Sequence, residues 1–125
     1  VIIAIDGPAA SGKSTAAIGI AKRLDITYLD TGAMYRAVTF GLIDNNIDFR
    51  NSKILEEFIG KIDIKFSKST SGMLLYLNGR NITKEIRSSL VTKNVSEVSA
   101  LSSVRNSMVL IQRKMVAIGD CILER

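Results

Sequence analysis

The stretch Val1-Ile-Ile-Ala-Ile-Asp-Gly-Pro-Ala-Ala-Ser-Gly-Lys-Ser-Thr15 decides the fold of this chain. It opens with a continuous, mostly β-branched run from Val1 to Ile5, which is typical of a strand buried on both faces of a parallel sheet. Gly7 to Ser14 then have the glycine, four-residue spacer and Gly-Lys-Ser pattern of a P-loop, and Ala16 to Leu24 carry apolar residues at helical spacing. A strand, a phosphate loop and a helix in this order predict an α/β fold that binds a nucleoside triphosphate.

The spacing of the loop follows from what a phosphate chain needs. Backbone N–H groups can turn inward around an anion where glycine relaxes the backbone angles, which is the role we expect for Gly7 and Gly12. Lys13 is predicted to reach the β- and γ-phosphates, and the hydroxyl of Ser14 to bind Mg²⁺. The alternative, a glycine-rich turn without a ligand, is disfavoured by the position between a strand and a helix. The residues expected around the phosphates are Gly7, Pro8, Ala9, Ala10, Ser11, Gly12, Lys13, Ser14 and Thr15.

Composition limits the class of protein. The 125 residues are the length of one ordinary domain, and the hydrophobic fraction of 46% is enough for a core. No apolar stretch approaches the roughly 20 residues that span a bilayer. Cys121 is the single cysteine, so no intrachain disulfide can form, which fits a reducing compartment. We therefore expect a cytoplasmic protein without a membrane partner.

The charge pattern favours small phosphorylated ligands. The formal net charge is +5, but the basic residues are scattered singly with few aromatic residues between them, so we expect no nucleic-acid partner. There is no histidine, which excludes histidine-dependent triads and histidine metal sites. Phosphoryl transfer remains open because its transition state needs positioning and positive charge.

The remaining pattern predicts a parallel α/β fold with a small antiparallel insert. In the insert, Ile62, Ile64 and Phe66 alternate with polar residues, as in a half-buried antiparallel strand. The predicted elements are a strand at 1–5, the loop at 7–12, a helix at 13–24, a strand at 26–29, a helix at about 32–45, a short helix capped by Ser52, the insert at about 62–82 with a tight turn at Asn78-Gly79, a helix at 90–100, a second helix around 104–115, and a third parallel strand at 121–124.

Two helices have apolar residues at a spacing that predicts a core face. In the short helix these residues are Ile54, Leu55, Phe58 and Ile59, and in the last helix they are Val104, Met108, Ile111 and Met115. A sheet of only three parallel strands would leave an apolar edge open. We therefore expect the fold to be incomplete within this sequence, with further elements after Arg125.

A second group of polar residues, in the segment Asp-Thr-Gly-Ala-Met-Tyr-Arg from Asp30 to Arg36, follows the second predicted strand. The segment should lie at the carboxyl edge of the sheet, beside the P-loop, where α/β folds bind ligands. Arg36 is suited to bidentate phosphate recognition, and Tyr35 could orient it or face the same cavity. The alternative is an ordinary helix start, with Thr31 as the cap and Arg36 in solvent.

These two segments and three later ones together resemble bacterial cytidylate kinases of the P-loop nucleoside monophosphate kinase family. The later segments are Asn78-Gly-Arg-Asn-Ile-Thr-Lys-Glu-Ile-Arg87, Val-Ser-Glu-Val-Ser-Ala at 95–100 and Val104-Arg105. The resemblance runs from Val1 to about Glu124 and covers roughly the first half of such an enzyme. It implies a three-layer P-loop kinase core over 1–125, with a monophosphate-binding insert at about 62–82 and helices to about 118. One departure is that Arg125 directly follows Glu124, where the family pattern has a glycine between them.

The resemblance also implies an activity and a set of site residues. The activity is reversible transfer of the γ-phosphoryl group of ATP to CMP or dCMP with Mg²⁺, by an enzyme that we expect to be a monomer. Lys13, Arg36 and Arg105 are the implied catalytic residues. Thr31, Tyr35, Arg36, Ser96 and Arg105 are implied to line the acceptor site, although Ser96 and Arg105 by themselves read as exposed helix residues.

Two alternatives stay open from the sequence. The first is a P-loop kinase for another small acceptor, such as a different nucleotide or shikimate. The second is a nucleotide-dependent nucleic-acid-binding ATPase, which would require the scattered lysines and arginines to gather on one face.

Overall fold

The structure is a computed structural model that describes residues 2–7, 12–24, 27–70, 72–117 and 121–124, with the side chains at 13, 14, 27, 123 and 124 outside that description. Strands and helices alternate at first, and helices dominate after the antiparallel region. The elements are β1 (Ile2–Ile5), α1 (Lys13–Leu24), β2 (Thr27–Asp30), α2 (Thr31–Asp44), α3 (Ser52–Lys61), β3 (Ile64–Ser69), β4 (Gly72–Leu77), β5 (Arg80–Asn81), a 3₁₀ turn (Glu85–Arg87), α4 (Ser89–Ala100), α5 (Ser102–Ala117) and β6 (Cys121–Glu124).

A parallel sheet forms one layer of the fold. β6 lies between β1 and β2 and is parallel to both, which confirms the third parallel strand that the sequence predicts. Ile5 and Asp30 are both in register with Glu124, so the three strands end at the same edge. Because α1 and α2 follow β1 and β2, both helices begin at this carboxyl edge.

The burial of β1 differs from the prediction. Tyr28, Leu29 and Ile122 are buried in β2 and β6, whereas the side chain of Ile2 in β1 is 62% exposed. The expectation that β1 is buried on both faces is therefore wrong for the described residues. The physical reason is strand order: among the described strands β1 pairs only with β6, so it lies at an edge of this sheet.

The antiparallel sheet β3-β4-β5 confirms the predicted insert. Asn78 and Gly79 have φ values of 50° and 82°, and Leu77 pairs with Arg80 across them, so these two residues form a two-residue hairpin turn. β3 begins at Ile64, two residues later than the alternation suggests, because Ile62 is the C-cap of α3.

The insert also packs on the parallel layer. The ring of Phe66 contacts that of Tyr28 edge to face, with centroids 5.6 Å apart. The Nζ of Lys68 donates a hydrogen bond of 3.3 Å to the carbonyl of Ala21, near the C-terminus of α1, where a cation is favourable. These contacts join the predicted monophosphate-binding region to the helix that follows the P-loop.

The larger core surrounds α2. Its buried members include Met34, Val38 and Leu42 of α2, together with residues of α3, β4, α4 and α5. Gly41 allows close packing here, since an added Cβ would lie 2.9 Å from Cζ of Phe58 and 3.1 Å from Cδ2 of Leu77, and these side chains would have to shift. No helix among the described residues is long and apolar enough to cross a bilayer.

The sequence predicts the buried faces of α3 and α5 only in part. Leu55 and Ile59 of α3 are buried as expected, but Ile54 is 42% exposed. The N-cap of α3 is Asn51, whose side chain accepts a hydrogen bond from the amide of Ile54, and so the prediction of Ser52 as the cap is wrong. In α5, Val104 and Met108 are buried, while Ile111 and Met115 are half-buried.

Candidate active site

The N-terminus of α1 lies at the carboxyl edge of the parallel sheet. The amide of Ala16 donates to the carbonyl of Gly12 at 3.1 Å, and the amides just before Ala16 are those that a helix leaves without an intrahelical acceptor. The first turn of α1 contains no acidic residue, so its dipole and amides favour a bound anion. Gly12 has a φ of 86°, the left-handed conformation for which the loop pattern needs glycine.

Much of the predicted phosphate loop lies outside the described residues. Pro8, Ala9, Ala10 and Ser11 are not among them, nor are the side chains of Lys13 and Ser14. Gly7 and Thr15 are described and are exposed. The contacts of these residues with phosphates, and that of Ser14 with Mg²⁺, therefore stay predictions.

Asp30 organises the start of α2. Its Oδ1 accepts a hydrogen bond of 3.0 Å from the amide of Ala33, which makes Asp30 the N-cap, and its Oδ2 accepts one of 3.3 Å from the hydroxyl of Tyr28. The alternative in which Thr31 caps this helix is therefore wrong. Thr31 is the first residue of α2 and is half-buried at the carboxyl edge.

Arg36 is held between two other elements. Its Nη1 donates one hydrogen bond of 3.0 Å to the carbonyl oxygen of Ile86 in the 3₁₀ turn and another of 3.0 Å to Oγ1 of Thr92 in α4. The residue is half-buried, so the alternative that places Arg36 in solvent is wrong. Both bonds use Nη1, and within the described part of the chain the Nε and Nη2 donors have no partner. Such a pair of donors forms the planar fork with which arginine side chains can bind a phosphate in a bidentate manner.

The face of α2 that carries Arg36 also anchors the insert. Phe40 and Asp44 follow Arg36 at intervals of four residues, so they lie along the same face of the helix. The guanidinium of Arg80 lies 5.3 Å from the centroid of the Phe40 ring, 3.5 Å from Oδ2 of Asp44 and 3.7 Å from Oε2 of Glu85. Arg80 therefore links α2 to the hairpin and to the 3₁₀ turn that presents the carbonyl of Ile86.

The other predicted acceptor-site residues are less closely associated with Arg36. Ser96 is exposed on α4 one turn after Thr92, so the structure brings it to the helix face that contacts Arg36. Tyr35 is half-buried and packs against the main core. Arg105 is exposed in the first turn of α5, and within the described residues its side chain makes no hydrogen bond or ion pair to the cluster around Arg36.

Sequence reasoning missed two contributors to this site. Thr92 and the carbonyl of Ile86 lie 56 and 50 residues from Arg36, and a backbone carbonyl has no sequence signal. Asp30 as a cap could have been found, because an aspartate between a strand and an apolar helical pattern is an N-cap signal.

Comparison with known proteins identifies the family of the chain. The sequence model of the family described as cytidylate kinase matches residues 3–125. The chain belongs to the cytidylate kinase family. Cytidylate kinases of Lactobacillus gasseri and Alkaliphilus oremlandii are 43% and 47% identical to it over 122 residues, which are 98% of this chain and 53% and 54% of theirs.

A bifunctional pantoate ligase/cytidylate kinase of Prochlorococcus marinus is similar as well, with 45% identity over 124 residues that cover 98% of this chain and 24% of that protein. The chain thus spans about half the length of the cytidylate kinases that it matches. The family that the sequence motifs predict, and its α/β fold with a parallel sheet and a small antiparallel sheet, are confirmed.

Proposed function

We propose that this chain is the part of a cytidylate kinase that binds the phosphates of ATP and the phosphate of CMP or dCMP, and that the whole protein transfers the γ-phosphoryl group between them. The observation that carries the proposal is the arrangement of Arg36 on α2: its Nη1 is held by Ile86 and Thr92, and its Nε and Nη2 donors have no partner among the described residues. Both α2 and the P-loop helix α1 begin at the carboxyl edge of the parallel sheet. Family membership over residues 3–125 supports the choice of cytidine nucleotides as acceptors.

Phosphoryl transfer from ATP to CMP depends on positive charge around the phosphates more than on a general base. An oxygen of the CMP phosphate attacks the γ-phosphorus, the bond to the β–γ bridging oxygen breaks, and ADP leaves. Because the acceptor oxygen is already ionised, no strong general base is required. The difficulty is to bring two polyanions together, which we assign to Lys13 on the donor side and to Arg36 and Arg105 on the acceptor side.

On the donor side, residues 7–15 would surround the ATP phosphates with backbone amides, aided by the dipole of α1. Ser14 would hold Mg²⁺ through its hydroxyl, and its place in the first turn of α1 fits this role. Mg²⁺ prefers oxygen ligands and keeps several waters, so one hydroxyl and the phosphates suit it. When bound, the ion would supply positive charge that offsets the negative charge of the ATP phosphates.

On the acceptor side, Arg36 would take the monophosphate with its Nε–Nη2 edge, and Arg105 would add a second cation. Thr31 and Tyr35 precede Arg36 on α2, and Ser96 on α4 would lie nearer the cytosine. The insert at about 62–82 would form the monophosphate-binding region of a core that extends over 1–125. The proposal requires no protein or nucleic-acid partner, and we place the enzyme in the cytoplasm as a monomer.

The direct test is an acceptor panel. The full-length polypeptide is assayed for ADP release from ATP with CMP, dCMP, UMP, AMP and shikimate. The proposal predicts the highest kcat/KM with CMP or dCMP. A clear preference for AMP or shikimate would refute the choice of acceptor, and hydrolysis of ATP that is stimulated by DNA or RNA without any acceptor would refute the kinase assignment.

Lys13 provides a second test. Lys13→Ala should lower turnover with CMP by roughly 100-fold or more, because a preorganised charge that stabilises the transferred group is lost. Lys22→Ala is the matched control, since Lys22 is exposed in the last turn of the same helix. Turnover of Lys13→Ala near that of the control would contradict the role of Lys13.

A further inference from the structure

The guanidinium of Arg36 is fixed from two directions. Its Nη1 bonds to the carbonyl of Ile86 on one element and to the hydroxyl of Thr92 on another, both at 3.0 Å. A guanidinium is planar, so two acceptors on one nitrogen set the plane of the whole group. The orientation of the opposite edge, formed by Nε and Nη2, is then determined before any ligand binds.

Both acceptors are themselves held in place. The amide of Ile86 donates to the carbonyl of Ile82 at 3.1 Å, and the amide of Ile82 donates to the carbonyl of Leu75 in β4 at 2.9 Å. Thr92 lies in the first turn of α4, where its amide donates to the carbonyl of Ser88 at 3.0 Å. Thus the backbone that carries each acceptor is already ordered before Arg36 is held.

We infer that Thr92 is a positioning residue of the acceptor site: it accepts a hydrogen bond from Nη1 of Arg36 and so presents the Nε–Nη2 edge to the phosphate of the nucleoside monophosphate. This inference rests on the proposed function, in which Arg36 binds that phosphate. An arginine has several flexible torsions, and a ligand that must order them loses affinity. Thr92 removes part of that cost, so its hydroxyl contributes to acceptor affinity without touching the acceptor.

A purely structural role for Thr92 predicts a different result. The side chain of Thr92 is exposed, and its bond to Arg36 is open to solvent, so the hydroxyl adds little to the stability of the fold. A structural role would affect ATP and CMP alike through a less stable protein. A positioning role affects the acceptor alone.

The test compares Thr92→Val with Thr92→Ser in the full-length polypeptide. Valine has nearly the same shape and helix propensity as threonine but has no hydroxyl, whereas serine keeps the hydroxyl. Thr92→Val should raise KM for CMP about 3- to 10-fold, which is the scale of one lost hydrogen bond. Its kcat and its KM for ATP should stay within about twofold of the parent values, because the lost contribution acts on acceptor binding. Thr92→Ser should behave like the parent protein.

A second measurement needs no turnover. The ¹⁵N-bound protons of the Arg36 guanidinium should give resolved signals in the free parent protein, because the two bonds at Nη1 slow rotation of the group. In Thr92→Val these signals should broaden or average, and in Thr92→Ser they should remain resolved. The readout reports on the order of Arg36 directly.

The outcomes distinguish the positioning role of Thr92 from the proposed kinase function. An unchanged KM for CMP in Thr92→Val, an equal rise in KM for ATP, or unchanged guanidinium signals would each overturn the role of Thr92, while CMP phosphorylation by the parent would still support the proposed function. If the parent does not phosphorylate CMP, the proposed function is refuted together with the substrate part of this inference. The guanidinium signals then still decide whether Thr92 orders Arg36.

Discussion

Replacing Arg36 with alanine should reduce both acceptor affinity and stability, and the structure allows each loss to be estimated. The two hydrogen bonds from Nη1 would be lost, and the carbonyl of Ile86 would lose its charged donor. A hydrogen bond to a charged group makes a net contribution of about 1.5–3 kcal/mol. Because the bond to Thr92 is exposed to solvent and contributes little, we expect a total loss of about 2 kcal/mol in the free energy of unfolding.

The catalytic loss in Arg36→Ala should be larger for CMP. Removal of one preorganised cation from a transferring phosphate costs about 3–4 kcal/mol, which corresponds to about 100- to 1,000-fold in kcat/KM for CMP. KM for ATP should change by less than about threefold, since the proposed function assigns Arg36 to the acceptor phosphate. Arg36→Lys should recover only part of the activity, because an ammonium keeps the charge but cannot form the planar fork.

The assay is coupled ADP release with CMP and ATP varied separately, together with urea unfolding of each variant. Arg105→Ala is an informative comparison: it should weaken CMP binding with almost no loss of stability, since Arg105 is exposed and its side chain makes no hydrogen bond or ion pair within the described residues. Arg113→Ala, at an exposed position of α5, is the neutral control. An equal loss for ATP and CMP in Arg36→Ala would refute the assignment of Arg36 to the acceptor.

Three further substitutions concern stability, and all are measured by urea unfolding. Gly79→Ala should destabilise the protein by about 1 kcal/mol through backbone strain alone, because Gly79 has a positive φ and an added Cβ would meet nothing within 4 Å. Gly60→Ala, in α3 and equally free of contacts, should instead stabilise by about 0.5–1 kcal/mol, so a destabilised Gly60→Ala would contradict this reasoning. Arg80→Met should lose about 1 kcal/mol, since both ion pairs are largely exposed and the contact with Phe40 adds little more. The ion-pair share of that loss should shrink in about 1 M salt, and an effect that grows with salt would argue against it.

Local signals in the sequence predict the elements that position the site. The helix over Lys13–Leu24 follows from the Gly-Lys-Ser pattern and the apolar spacing after it, and the turn at Asn78-Gly79 follows from its need for two positive φ values. The antiparallel alternation and the third parallel strand are likewise local patterns. These features depend on neighbours within a few residues, so the sequence alone reveals them.

Features set by distant contacts could not be predicted in the same way. The exposure of Ile2 depends on which strand lies at the edge of the sheet, and that of Ile54 depends on which elements pack against α3. The position of Arg36 depends on Ile86 and Thr92, both of which are remote in the sequence. For the same reason, the sequence pointed to Arg36 as a phosphate ligand without indicating which of its donors would remain available.

The most direct test of the account is a crystal structure of the full-length protein with CMP. We predict that two phosphate oxygens lie about 2.7–2.9 Å from Nε and Nη2 of Arg36, as in a bidentate charge-assisted pair, while Nη1 keeps its bonds to Ile86 and Thr92. A CMP phosphate bound away from Arg36, or one that displaces Nη1 from both of these acceptors, would contradict the account.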